Sequence, residues 1–456
     1  MRRALAVAAM CGGLLGCAGF SPQRGHDDVA KLVQERTGYA THWDKGPPAG
    51  EQIARWVDDL LRGGLSRDRA VEIALVNSPA LQAVYEELGV SQADMVQAGL
   101  IPNPTLSGSV GFVQPGSFGQ TEYEASVVQD FLSIFLMPMR QRVAKEQFLA
   151  DTMRVAQEAL RAAGRVEKLM AGLEARTQMV ELRKSVLEGA EATADLADRQ
   201  HEAGNINDLA LTREKTMLEQ ARLDLEHDEL ALVESHEDVN RALGLWGPRT
   251  GWALGEKLAD LPPDDPPLER LESRAVAQRL DVRAARIQAD LLSDALALAR
   301  DSRFFGLVEI GAHVHQDADG PRLVGPTLSL ELPIFDQRQA LLARLEAQQR
   351  QATHRLDAVA VDARSEVRVA WARLASSRRV VARYKTAVLP LHEQEVAQAQ
   401  LQYNAMQIGP FELIATKQTQ IEAYRAYLDA VRDYWDARAD LELAVGGRVT
   451  PKGEKS

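Results

Sequence analysis

Five carboxylates stand in two short stretches at corresponding places along the chain: Glu191, Asp195 and Asp198 in the first, Glu393 and Glu395 in the second. Each group falls within about two helical turns. Lining a narrow passage, such acids attract cations, repel anions and hold their protons more tightly. On an open helix face they are simply solvated, and both readings stand. Catalysis has less behind it. His392-Glu393-Gln394-Glu395 starts like a zinc-protease helix, but Val396 occupies the place of the second histidine. His313 and His315 share one side of an alternating stretch with Asp317 nearby. Metal ligands can be so placed, yet histidines on a polar strand are more often hydrated. The chain has no G-x-S-x-G, no phosphate-cradling glycine loop and no C-x-x-C. No enzyme, resident cofactor or metal site is expected.

The acids recur because the chain is written twice. "HEAGNINDLALTREK" from His201 answers "YNAMQIGPFELIATK" from Tyr403 at a constant offset of 202, and the register holds to Ala242-Leu243-Gly244 and Ala444-Val445-Gly446. Glu191 and Glu393 are equivalent at that offset. Upstream, Ile134-Phe135 answers Ile334-Phe335 at 200, and "RAVEIALVNSPALQA" resembles "RAVAQRLDVRAA". Each copy reads as a short helical stretch, two alternating segments, then a long helix that breaks once and returns.

In the alternating segments, Leu106, Val110 and Phe112 oppose Thr105, Ser107 and Ser109, and Tyr123, Ala125 and Val127 oppose Glu122, Glu124 and Ser126. In the second copy Val308, Ile310, Ala312 and Val314 oppose Glu309, Gly311, His313 and His315, and Leu328, Leu330, Leu332 and Ile334 oppose Thr327, Ser329, Glu331 and Pro333. A two-residue period predicts four strands, each with one apolar and one polar face. Soluble hairpins satisfy that pattern, and so do tilted membrane crossings. In a membrane, four strands cannot close alone, so several copies would share one barrel.

The returning arms carry a seam with a mean spacing of 3.5: Leu211, Glu214, Leu218, Ala221, Leu225, Asp228, Leu232, Ser235, Val239 and Ala242, and at the same offset Leu413, Thr416, Gln420, Ala423, Tyr427, Ala430, Tyr434, Ala437, Leu441 and Ala444. That is a coiled-coil pattern diluted by small and polar residues. The outgoing arm from Arg140 to Ala203 would reach roughly 95 Å.

Composition narrows the partners. The 456 residues carry a formal net charge of -12, which argues against nucleic acid, whose phosphates need a positive surface. The first residues look like an export signal: Arg2 and Arg3, a short apolar run, then Leu14-Leu15-Gly16-Cys17. This resembles the bacterial lipoprotein signal, in which the cysteine is acylated; an ordinary signal peptide is the alternative. Ala18 follows the cysteine rather than an aspartate, which by that resemblance favours the outer membrane.

Taken in order, "SPALQA", "AGLIPNP", the "AGNIN…LAL" and "AMQIG…ELI" turns, "GPTLSLELPIFDQRQA" and the "ALG" and "AVG" helix ends resemble the TolC-like outer-membrane efflux factors from about Leu65 to Gly446. The resemblance implies a mixed fold, mainly α. Long antiparallel helical hairpins would form a trimeric α-barrel, and four strands per chain would contribute to a 12-stranded transmembrane β-barrel. The implied function is the passive outer-membrane duct of a tripartite efflux system. Its partners would be two further copies in a homotrimer, a periplasmic adaptor, an inner-membrane transporter and outer-membrane lipid. The alternative is a periplasm-spanning structural or adaptor lipoprotein with a soluble β region. Under threefold symmetry each of the five acids would become a ring.

The organisation expected is a signal peptide over 1–16, a lipidated and flexible leader over 17–64, and a first repeat over 65–244 with strands about 104–132 and a hairpin about 140–243. A linker over 245–270 leads to a second repeat over 271–446, with strands about 306–335 and a hairpin about 337–445, and a polar tail over 447–456. Candidate adaptor contacts are the turns at Gly204-Asn205 and Met406-Gln407. Glycine takes positive φ cheaply and methionine does not. With Gly409 three residues on, the second turn is expected to be shaped differently.

Overall fold

A computed structural model describes residues 23–44, 49–112, 121–304, 306, 308–316 and 320–449. Cys17 lies outside them. The chain forms two compact units, one holding residues 86–153 and 284–358, the other 28–85, 154–283 and 359–449.

The first unit is built on a four-stranded antiparallel sheet in the order β1 (Thr105–Phe112), β2 (Thr121–Asp130), β3 (Val308–Gln316), β4 (Arg322–Leu330). β2 against β3 joins the two sequence copies, and Val127 opposes Ala312 while Glu124 opposes His315. Because opposed residues share a face, this register carries the expected alternation across all four strands. Leu106, Val127, Ala312 and Pro326 lie on one side; Ser107, Ser126, His313 and Gly325 lie on the other. The apolar side is uncovered, with Leu106 at 75% exposure and Leu328 at 71%.

β4 differs from its sequence reading. It starts five residues earlier than Thr327 and stops at Leu330 rather than Ile334. Leu330 is opposite Val308, the first residue of β3, so Leu332 has no ladder partner, and Pro333 has no N–H to offer. The early start is hidden by Gly325 and Pro326, which β4 tolerates as an edge strand. The helix after β2 also begins early. Asp130 accepts from the Ser133 N–H at 3.0 Å, and α5 (Phe131–Glu202) follows with no loop.

In the second unit, the described residues of the expected leader, 28–44 and 49–64, include helices and buried side chains, while Cys17 to Pro22 and Lys45 to Pro48 lie outside the described residues. The leader contributes α1 (Gln23–Thr37) and α2 (Ala49–Leu61), with Val29, Val33, Tyr39, Trp43 and Val57 buried. The short helix α3 (Arg67–Asn77) precedes α4 (Pro79–Ala98), and α7 (Leu271–Gln278) precedes α8 (Leu280–Asp301) in the same way. The long hairpins pair α5 with α6 (Asp208–Leu243), and α9 (Gln339–Arg383) and α10 (Leu389–Asn404) with α11 (Pro410–Val445). Every seam residue named above is buried or half-buried. A π turn at Tyr384–Val388 interrupts the second outgoing arm, just before Pro390, whose missing N–H breaks the α ladder. The linker is pinned to the second hairpin: Trp435 donates to Ala259 O at 2.9 Å, Trp371 to Pro266 O at 3.1 Å, and Tyr434 to Asp265 at 2.6 Å.

Candidate gate and hairpin turns

Both hairpins turn through the same backbone. In the first, Ala203 N–H donates to Arg199 O, Gly204 to His201 O and Asn205 to Gln200 O. In the second, Ala405 donates to Leu401 O, Met406 to Tyr403 O and Gln407 to Gln402 O. Every donor and acceptor is displaced by 202. Gly204 has φ 75° and Met406 has φ 55°, so methionine occupies the left-handed position that glycine fills in the first turn. The expectation of a differently shaped second turn is therefore wrong. Gly409 is not the turn residue; it caps α11 with extended φ −82°, as Asn207 caps α6. Asn207 accepts from the Ala210 N–H at 2.9 Å, whereas Gly409 has no side-chain cap and relies on Pro410, preset for a first helical position.

Holding a side chain at positive φ costs about 1 kcal/mol or more. Met406 is 94% exposed, so no intrachain packing offsets that strain. Met406→Gly is expected to raise the unfolding free energy by up to about 1 kcal/mol, measured as a shift in denaturant midpoint. A loss of stability would mean that the turn is not strained.

Four of the five acids are exposed and Asp198 is half-buried, and the structure separates them by partner. Glu191 is 3.6 Å from Arg222, Asp195 is 2.6 Å from Arg199, and Asp198 is 2.8 Å from Lys215. Glu395 is 3.1 Å from His392. Glu393 instead accepts from the Tyr424 hydroxyl at 3.0 Å, which raises the phenol's pKa, and among the described residues no cation stands against it. Arg222 and Tyr424 are themselves equivalent at the offset of 202. One pair of positions thus holds Glu–Arg in the first copy and Glu–Tyr in the second. The first copy sets against its acid an arginine that it shares with Glu219, 2.8 Å away, and the second sets a neutral phenol there. His313 Nδ1 is 3.1 Å from the Thr327 hydroxyl; Asp317 lies outside the described residues, among which no cluster of three or more ligating side chains occurs.

Residues 70–245 match the family described as outer membrane efflux protein. That stretch of the chain belongs with the outer-membrane efflux proteins. Over 396 residues the chain is 26% identical to the cobalt-zinc-cadmium resistance protein CzcC of Cupriavidus metallidurans, covering 84% of this chain and 90% of CzcC. Its fold is shared with the CmeC outer membrane channel of Campylobacter jejuni, at TM-score 0.71 and 13% identity over 90% of this chain and 89% of CmeC. It is shared as well with the open state of the Neisseria gonorrhoeae MtrE outer membrane channel, at TM-score 0.68 and 16% identity over 84% of this chain and 89% of MtrE.

One node of the helical unit escaped the sequence reading. Arg183 on α5 has a side chain only 8% exposed and meets Asp228 at 2.9 Å and Asp224 at 3.3 Å, both on α6, and Glu422 on α11 at 3.1 Å. Burial alone would lower the guanidinium's pKa; the three carboxylates more than offset it and raise it. The sequence did hold one signal, since Asp228, like Glu214, places an acid in a seam of otherwise apolar or small residues, and a buried acid needs a cation.

Proposed function

We propose that this chain is the outer-membrane component of a tripartite efflux system, a passive trimeric duct whose energy comes from an inner-membrane transporter. The observation that carries this reading is the four-stranded sheet, apolar and uncovered on one face, with an unpaired edge on β1 and on β4. Unpaired backbone in hydrocarbon costs several kcal/mol per group. Three chains joined edge to edge would give twelve strands, close the sheet and place the apolar face against lipid. An adaptor lipoprotein with a soluble β region would have to bury Leu106 and Leu328 in protein. Heat-modifiable trimers and single-channel conductance after detergent extraction test the duct; a detergent-free monomer contradicts it.

Cys17 is the proposed acylation site, anchoring the chain to the inner leaflet without taking part in transport. Loss of palmitate labelling in Cys17→Ser tests this. The turns at Gly204-Asn205 and Met406-Gln407 are the proposed adaptor contacts, where exposed and strained Met406 offers an apolar knob. Photocrosslinkers at Asn205 and Gln407 are expected to capture a periplasmic adaptor; failure at both sites, with working controls, contradicts the role. Resistance to divalent metal cations, the activity in the name of the CzcC relative, is the first substrate class to test, by exposing a deletion strain to cobalt, zinc and cadmium alongside drugs.

Glu393 is the proposed gate acid, because its partner leaves its charge in place. Glu393→Gln is expected to lower cation over anion permeability severalfold in planar bilayers. Glu191→Gln, which removes an acid already beside Arg222, is expected to do much less. Equal effects from the two variants would remove Glu393 from the gate.

A further inference from the structure

The duplication supplies an internal comparison, and at one place the two copies differ in a way that leaves room for a ligand. Ser78 closes α3 with φ −65° and ψ 117°, its N–H donating to Ala74 O. Arg279 closes α7 with φ −60° and ψ 132°, its N–H donating to Ala275 O. Both caps lie near the glycine that ends a returning arm: a side-chain carbon on Gly244 would strike Pro79, and one on Gly446 would touch Arg279. The two positions are therefore structural equivalents, 201 residues apart.

In the second copy this seat is filled. The Arg279 side chain, 11% exposed, donates to Asp281 at 3.0 and 2.6 Å, to Glu366, and to Ala444 O at 3.3 Å. In the first copy the cap is a short serine, and the residue at the same offset of 201 from Glu366 is Arg165. The long cation is gone and the acid's place is taken by a cation. What remains is a cavity of about 510 Å³ whose lining includes Ser78 and Arg165.

Its lining has two characters. Leu81, Val84, Val166 and Leu169 give it an apolar portion. Of its charged residues, Arg161 is paired with Glu158 and Arg241 with Asp238, each three residues along its own helix. Arg165 has no hydrogen-bond or ion-pair partner among the described residues. The lining thus carries one guanidinium in excess, beside apolar surface, in a chain of net charge -12. Its size falls within the usual range of small-molecule sites, and a guanidinium matches a carboxylate with two parallel hydrogen bonds.

We propose that this cavity binds a small carboxylate with an apolar tail, the carboxylate held by Arg165 and the tail laid against Leu81, Val84, Val166 and Leu169. The site belongs to the first copy alone, and it stands whether or not the protein is a duct.

Hexanoate is the probe, with hexanol as the uncharged control, and saturation-transfer NMR on the full-length detergent-solubilised protein is the readout. Saturable binding of hexanoate is expected, at least about tenfold tighter than hexanol, since a charge-assisted bidentate pair is the strong contact. Arg165→Gln is expected to remove that preference while leaving the melting midpoint unchanged. The double variant Ser78→Arg with Arg165→Glu rebuilds the second copy's arrangement and is expected to abolish binding by filling the cavity. Absence of saturable binding in the parent protein overturns the proposal. So does equal affinity for hexanoate and hexanol, or an unchanged affinity in Arg165→Gln.

Discussion

Replacing Arg183 with methionine is expected to destabilise the helical unit by about 2–3 kcal/mol. Methionine keeps the aliphatic stem and its packing, so the loss isolates the charge. Asp228, at 19% exposure, and Asp224, at 31%, would be left facing each other on α6 without a cation. Glu422, at 54%, is solvated enough to lose little. For that reason the estimate sits below the 3–5 kcal/mol typical of a broken, fully buried pair. Arg183 joins α5 of the first hairpin to α11 of the second, so the same variant is expected to loosen the hairpins and raise baseline current in planar bilayers. The midpoint of denaturant unfolding checks the first outcome. A loss below about 0.5 kcal/mol would place the node among ordinary surface pairs.

Glu167 on α5 sets the second large effect. Burial, then the nearby Glu442 carboxylate, pushes its pKa from 4.5 up to about 7, against the opposing pull of Arg448. Glu442 on α11 is itself pushed up by burial. An acid whose folded pKa lies above its unfolded one binds more protons when folded, so its stabilising contribution is present at low pH and lost as pH rises through the window from about 4.5 to about 7. Above that window a half-buried charge beside a second carboxylate remains, at a cost on the order of 2–3 kcal/mol. Glu167→Gln keeps the shape and removes the titration. It is expected to raise the melting midpoint at pH 8, to leave it nearly unchanged at pH 5, and so to flatten the pH dependence of stability. An equal shift at both pH values would contradict this, because a simple packing change is blind to protons.

The periodic features could be read from residues alone, because period reflects which face a backbone presents to neighbours. The alternation in Leu106 to Phe112 survived into a four-strand register, and the 3.5-residue seam from Leu211 to Ala242 survived into burial. Element ends were less visible because partners decide them: β4 ends at Leu330, opposite Val308, where β3 begins. The duplication also misled in places. Ile134-Phe135 and Ile334-Phe335 match in sequence, yet the first pair lies in α5 and the second precedes α9. The leader was hard to recognise because Gly46, Pro47, Pro48 and Gly50 suggested a linker, while Val29, Val33 and Trp43 are too widely spaced to announce burial.

Of the acids, their number and symmetry were legible and their partners were not. Glu191 and Glu393 look alike until Arg222 and Tyr424 are found across the hairpin, 31 residues from their acids. Arg183 was harder to pick out for the same reason: Asp228 in the seam signalled a cation, but the carboxylates Arg183 holds come from two other helices.

The central claim, that separate copies complete the sheet in a membrane, is tested most directly at its two unpaired edges. One cysteine is placed on the outer edge of β1 and one on that of β4, in a set that scans register, in a background lacking Cys17. The membrane-inserted protein is then oxidised and run on a denaturing gel. Because β2 and β3 separate these edges within a chain, the account predicts crosslinks between chains and a ladder ending at covalent trimers. Monomers alone, at every register tried, would contradict it.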